Sequence, residues 1–108
     1  MVNITERENG DTTILDLEGN LIMGGGSKKF GQEIRRLVEA GKTNILLDFG
    51  KVKYIDSSGV GELVSSVEAI NSAGGNLKLS NLSPKVEDVI SLSGVRSLFE
   101  IDDQTEAE

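Results

Sequence analysis

Cysteine and histidine are both absent from this chain. Without cysteine there is no disulfide framework and no thiolate chemistry. Without histidine the usual imidazole base and the commonest metal ligand are gone together. Tryptophan is absent too, and aromatic residues make up only 4% of the sequence. The core must therefore be aliphatic, built from Val, Ile and Leu. No apolar stretch reaches the roughly 18 residues that a membrane-spanning helix needs. Basic residues are in the minority, 11 against 18 acidic, for a net charge of −7. Such a surface repels nucleic-acid phosphates and anionic membranes and suits a basic protein partner. The first residues, Met1 to Glu6, lack the basic-then-apolar pattern of a secretory signal, so a cytoplasmic location is expected.

What is present, at 108 residues with 37% hydrophobic composition, suffices for one domain with one core. Val2 to Thr5 and Thr13 to Leu17 read as strands about the turn Asn9-Gly10-Asp11, a hairpin pattern. Leu21-Ile22-Met23 extends the second strand, and Gly24-Gly25-Gly26-Ser27 follows as a loop. Phe30, Ile34, Leu37 and Val38 fall at helical spacing, with Ser27 as candidate cap and Gly41 as the stop. The apolar run Asn44 to Phe49 reads as a central strand covered on both faces. Val60, Leu63, Val64, Val67 and Ile70 mark a second helix, running from the Ser57-Ser58 pair to about Ala73. Leu77 to Leu79 is a strand. Ser83-Pro84 starts a third helix, with Ser as cap and Pro at the first helical position, and Gly94 stops it. Leu98 to Ile101 reads as a last strand. The order β-β-α-β-α-β-α-β predicts an α/β fold with a mixed sheet. Residues 1–101 are expected to form the domain, and 102–108 an acidic, disordered tail.

The most informative stretch is Asp56-Ser57-Ser58-Gly59-Val60-Gly61. It lies between the apolar run Val52 to Ile55 and the second helix, so two hydroxyls and a carboxylate enter a helix N-terminus. That end exposes unpaired N–H groups and carries partial positive charge, which favours a phosphate. The serine pair reads as a phosphorylation switch on a protein-binding module. It also reads as a helix cap, and the two readings are compatible. Asp56 suits either a local capping role or a contact with a basic group on a partner. Gly59 and Gly61 weaken a helix and imply close approach of backbone or partner. Glu62 sits near enough to the helix start to share a partner footprint.

Other chemistries fit poorly. A serine nucleophile needs a base, normally histidine, and no Gly-x-Ser-x-Gly elbow is present. Asp48 or Asp56 as a phosphoacceptor would need an acidic pair after the first strand to hold magnesium, and there is none. Gly24 to Lys29 lacks phosphate-loop spacing. Glu87 and Asp88 are helix neighbours that point apart. No enzyme activity, cofactor or metal site is predicted.

Three features, in order, are similar to the STAS domain family, and within it to bacterial anti-sigma factor antagonists. They are Ile45 to Phe49 leading into Tyr54 to Gly61, then Leu82 to Val86, then Leu92 to Val95 running into Leu98 to Ile101. The resemblance covers about residues 2–101. It implies a mixed sheet of four or five strands with helices mostly on one face, and a partner-switching role. The second hydroxyl residue of the family's Asp-Ser-Ser/Thr-Gly motif, which is phosphorylated, matches Ser58, with Ser57 as the second choice. The implied partners are an anti-sigma factor with serine kinase activity, which binds the unmodified form, and a serine phosphatase. The partner surface so implied comprises Asp56, Ser57, Ser58, Gly59, Val60, Gly61 and Glu62. An alternative within the family is an adaptor subunit of a transporter or stress-signalling assembly. The segment Leu21 to Gly26 departs from the polar loop usual in the family, and it bears on the choice of partner.

Overall fold

The computed structural model describes residues 2–102. Of the acidic tail expected at 102–108, Asp102 instead pairs with Ser80 in the last strand, and the rest lies outside the described residues. Strand β1 (Val2–Asn9) turns into β2 (Thr12–Leu21), then follow α1 (Gly26–Glu39), β3 (Asn44–Ile55), α2 (Ser57–Ser72), β4 (Asn76–Ser80), α3 (Pro84–Leu92) and β5 (Glu100–Asp102). The five strands form one sheet in the order β1-β2-β3-β4-β5. Only the β1–β2 pair is antiparallel; every later neighbour is joined by a crossover helix and pairs in parallel.

Alternation along the strands decides which face is covered. Leu15, Leu17, Ile45, Leu47, Phe49, Leu77 and Leu79 point to one side and join a single core with Phe30, Ile34 and Leu37 of α1, Leu63 and Ile70 of α2, and Val86 and Ile90 of α3. This is the mixed sheet with helices on one face that the sequence predicts. The expectation that β3 is covered on both faces does not hold: Leu46 and Asp48, which alternate with its core residues, are only half-buried. Arg7 and Asp16 form a two-point ion pair across this open face, with Nε to Oδ2 at 2.5 Å.

Of the serines marked as caps, only the one at the start of α3 serves as such. Ser83 caps α3, its hydroxyl accepting from the Val86 amide at 3.1 Å, and Pro84 takes the first helical position. The cap position of α1, in contrast, is Gly25, and no side chain caps this helix. Ser27 lies inside the first turn and its hydroxyl points elsewhere. The last strand also starts later than the sequence pattern suggests. Arg96–Leu98 forms a 3-10 turn, leaving Leu98 half-exposed outside β5.

Candidate functional site

The site is built where two chain crossings meet, at the C-terminal ends of β2 and β3. Strand β3 ends at Ile55, and Asp56 remains extended (φ −111°, ψ −173°) as the cap residue of α2. Its amide donates to the Leu21 carbonyl at 3.2 Å, which ties the end of β3 to the end of β2. Its carboxylate serves both segments: Oδ1 accepts from the Gly59 amide and Oδ2 from the Met23 amide, both at 3.1 Å. These donations, from Met23 first and Gly59 next, hold the carboxyl below the usual aspartate range because they favour the charged form. Of the roles open to Asp56 in the sequence, the structure fills the capping one. Neither serine caps the helix.

Ser57 and Ser58 are therefore the first two helical residues of α2. Ser57 is exposed and Ser58 half-buried. The Ser58 hydroxyl lies 2.8 Å from the hydroxyl of Ser27, a residue only 4% exposed. The sequence motif thus meets a residue more than thirty positions away, in the first turn of α1. Gly59 is buried because it has to be small: a β-carbon there would strike the Leu21 carbonyl oxygen and lie 2.7 Å from Ile55 Cγ1. Val60 turns into the core. Gly61 is exposed, and a β-carbon built on it meets nothing within 4 Å. Glu62 is half-buried, with its carboxylate laid against Gly31 of α1, where a side chain would displace it. Ser66, one turn further along α2, is buried and donates to the Glu62 carbonyl at 2.7 Å.

The residues that the motif alone does not reveal lie between β2 and α1. Met23 is 75% exposed beside Asp56, to which its amide is bonded. It lines a shallow apolar concavity of about 320 Å³ with Val2, Ile22, Gly24 to Gly26 and Lys29. The signal in the sequence was the run of three glycines, which announces backbone without side chains but not what lies beside it. A larger concavity of about 500 Å³ lies on the open side of the sheet, among Thr5, Asp16, Asp48, Lys51 and Asn81. Its aspartates are engaged: Asp16 with Arg7, and Asp48 with the Gly50 amide at 2.8 Å and Asn81 Nδ2 at 3.1 Å. Among the described residues no group of three acidic side chains could hold a metal ion, and no helix is long and apolar enough to cross a membrane.

The STAS domain family model matches residues 3–108, and the chain belongs to that family. Its curated relatives include BtrV of Bordetella bronchiseptica, provisionally named an anti-sigma factor antagonist, which is 31% identical over 75 residues; the match takes in 69% of this chain and 65% of that protein. The chain thus spans just under two thirds of that relative's length. Among solved structures, a protein from Thermotoga maritima, also provisionally named an anti-sigma factor antagonist, aligns with a TM-score of 0.85 at 27% identity, covering 96% of this chain and 90% of the other. The anti-sigma factor antagonist SpoIIAA from Bacillus shares the fold in both its forms. The unphosphorylated form aligns with a TM-score of 0.72 at 22% identity, over 97% of this chain and 94% of the other. The phosphorylated form aligns with a TM-score of 0.71 at 23% identity, over 97% and 96%.

Proposed function

We propose that this chain is an anti-sigma factor antagonist that works by partner switching at Ser58. Unmodified, it binds an anti-sigma factor that is also a serine kinase, and so frees a sigma factor. Phosphorylation of Ser58 ends that binding, and a serine phosphatase restores it. The chain is regulatory, not an enzyme, and acts in the cytoplasm through protein contacts. Residues 1–101 make up the STAS domain of this reading.

The observation that carries this reading is the half-exposed Ser58 at the start of α2, flanked by exposed residues with little side-chain bulk. Ser57, Gly61, Gly24 and Gly25 are all exposed around it. A partner could approach the backbone closely there, and an added phosphate would meet it directly. The chemistry asked of Ser58 is simple. Its Oγ attacks the γ-phosphorus of ATP, the bond from that phosphorus to the β–γ bridging oxygen breaks, ADP leaves, and the hydroxyl proton passes to a base on the kinase. The substrate serine needs no base of its own, which suits a chain without histidine.

Affinity capture from the source cell, with and without ATP, tests the proposal. The expected catch without ATP is an anti-sigma factor carrying a kinase domain. With ATP the bait should gain one phosphate, located on Ser58 by mass spectrometry, and lose the partner. A Ser58→Ala chain should stay bound under both conditions. Loss of the partner from Ser58→Ala after kinase treatment would refute the assignment. Capture of a transport protein that holds the chain whatever the state of the serine would favour the adaptor role instead.

A further inference from the structure

The Ser58 switch has a second serine built into it. We propose that Ser27 is its positioning residue: the buried Ser27 hydroxyl holds Ser58 Oγ in the unmodified chain and, once Ser58 carries phosphate, donates to that phosphate and draws it onto α1. This rests on the reading of Ser58 as the phosphoacceptor.

A buried hydroxyl is nearly always hydrogen-bonded. Ser27, 4% exposed, finds that partner in Ser58 Oγ, at 2.8 Å. After phosphorylation the oxygens on Ser58 carry no proton when the phosphate is dianionic, so the Ser27 hydroxyl must be the donor. The two helix ends at the site then differ in what they offer an anion. The start of α2 already holds the Asp56 carboxylate, bonded to the Gly59 amide, and two anions at one helix end repel each other. The start of α1 has no side-chain cap and no acidic residue in its first turn. It carries Lys28, which is exposed, and Lys29, whose Nζ reaches the Val2 carbonyl at 3.1 Å. Space is available as well, since β-carbons on Gly24 and Gly25 would meet nothing within 4 Å. The charged groups nearest Ser58 along the elements that meet there are Lys28 and Lys29 in the first turn of α1 and Asp56 and Glu62 at the start of α2; Glu33, Arg35, Arg36 and Glu39 of α1 and Glu68 of α2 lie further along their helices. The end of β2, from Asn20 to Met23, brings none.

The experiment uses the full chain with phosphoserine installed at position 58 by genetic code expansion, so that no kinase is required. Its second ionisation is followed by phosphorus NMR, with Ser27 intact and as Ser27→Ala. A donated hydrogen bond favours the dianion, so removing it should raise the proton affinity of the phosphate about two- to tenfold. Ser27→Thr, which keeps the hydroxyl, should restore the original titration. Lys28→Gln should shift it in the same direction as Ser27→Ala, and added salt should shrink that shift. Superimposable titrations with and without the Ser27 hydroxyl would overturn the proposal. Should Ser27→Ala not fold, the unsubstituted chain still answers: the amide signals of Ser27 and Lys28 must move with the titration of the phosphate, and stationary signals would overturn the proposal equally. Absence of phosphate from Ser58 in the cell would remove the proposed function and leave this result standing.

Discussion

Gly59 and Gly61 are two residues apart on one helix, yet the same substitution should act on them with opposite sign. In the interior of a helix glycine is about 0.8–1.0 kcal/mol less favourable than alanine. At Gly61 nothing offsets that cost within the chain, because a β-carbon there meets no atom within 4 Å. Gly61→Ala should therefore stabilise the protein by about 1 kcal/mol, or roughly 4 °C in Tm for a domain of this size. At Gly59 the new methyl group runs into the Leu21 carbonyl oxygen and lies 2.7 Å from Ile55 Cγ1. Overpacking of this kind costs about 1–3 kcal/mol, which outweighs the gain in helix propensity. Urea denaturation of the two variants reads both signs. The functional consequence is the reverse of the thermodynamic one for Gly61. If that bare backbone is where the anti-sigma factor comes closest, the stabilised variant should bind it about five- to 150-fold more weakly, the equivalent of about 1–3 kcal/mol of misfit. Isothermal titration calorimetry against the captured partner measures this. A Gly61→Ala chain that is both more stable and fully competent to bind would show that the glycine has no part in docking. One that is less stable would show that the space above it is not open.

Three further outcomes follow from contacts at the site and in the core. Asp56 has a folded-state pKa below its unfolded value, so its contribution is complete above about pH 4 and is lost as pH falls through the depressed folded value. Denaturation midpoints of wild type and Asp56→Asn should therefore converge on acidification, and a gap that stays constant from pH 7 to pH 3 would refute this. Gly26→Ala should destabilise by about 1–3 kcal/mol, because its β-carbon would strike the Asn20 carbonyl oxygen; an unchanged urea midpoint would rule out that close approach. Phe49→Ala should cost about 3–5 kcal/mol, since Phe49 is wholly buried in the core at the centre of the sheet. A loss under 1 kcal/mol would mean that the core collapses around the gap.

The sequence displays the fold more completely than the site, for a physical reason. Strand alternation at Leu15 and Leu17 and helical spacing at Phe30, Ile34 and Leu37 are local signals of burial against one shared core, and the structure reads them the same way. Ser83-Pro84 is a local signal too, and it caps α3 as expected. Ser27 follows no such rule. As a hydroxyl after a glycine loop it looks like a cap, but α1 begins two residues earlier and the side chain is turned to Ser58. That pairing depends on how α1 and α2 lie side by side, which no window of sequence contains. Leu46 and Asp48 fail for a related reason. An apolar run fits a strand covered on both faces, but whether helices cover the second face is a property of the whole chain. Met23 was legible only as the end of an apolar stretch. Of the glycines after it, Gly26 is the one that packs its backbone against the Asn20 carbonyl, while Gly24 and Gly25 stand in open space.

Charge alone can make Ser58 a switch, without any change of fold. Asp56 already places one carboxylate at the start of α2, and its two hydrogen bonds to backbone N–H groups hold it there. Phosphorylation adds about −1.5 to −2 charges beside it. A partner carboxylate docked about 6 Å from that phosphate would be repelled by roughly 4 kcal/mol at the effective dielectric of a protein surface, or about a thousandfold in dissociation constant. The fold has little to lose from the same change. Ser58 is half-exposed, it is not the cap of its helix, and the first turn of α1 beside it offers two lysines and has no side-chain cap. An anion placed there is compensated within the free chain and uncompensated against an acidic partner. That difference between the two states is what a binding switch requires, and it fits the proposed acceptor just inside the helix, with a permanent carboxylate as the cap.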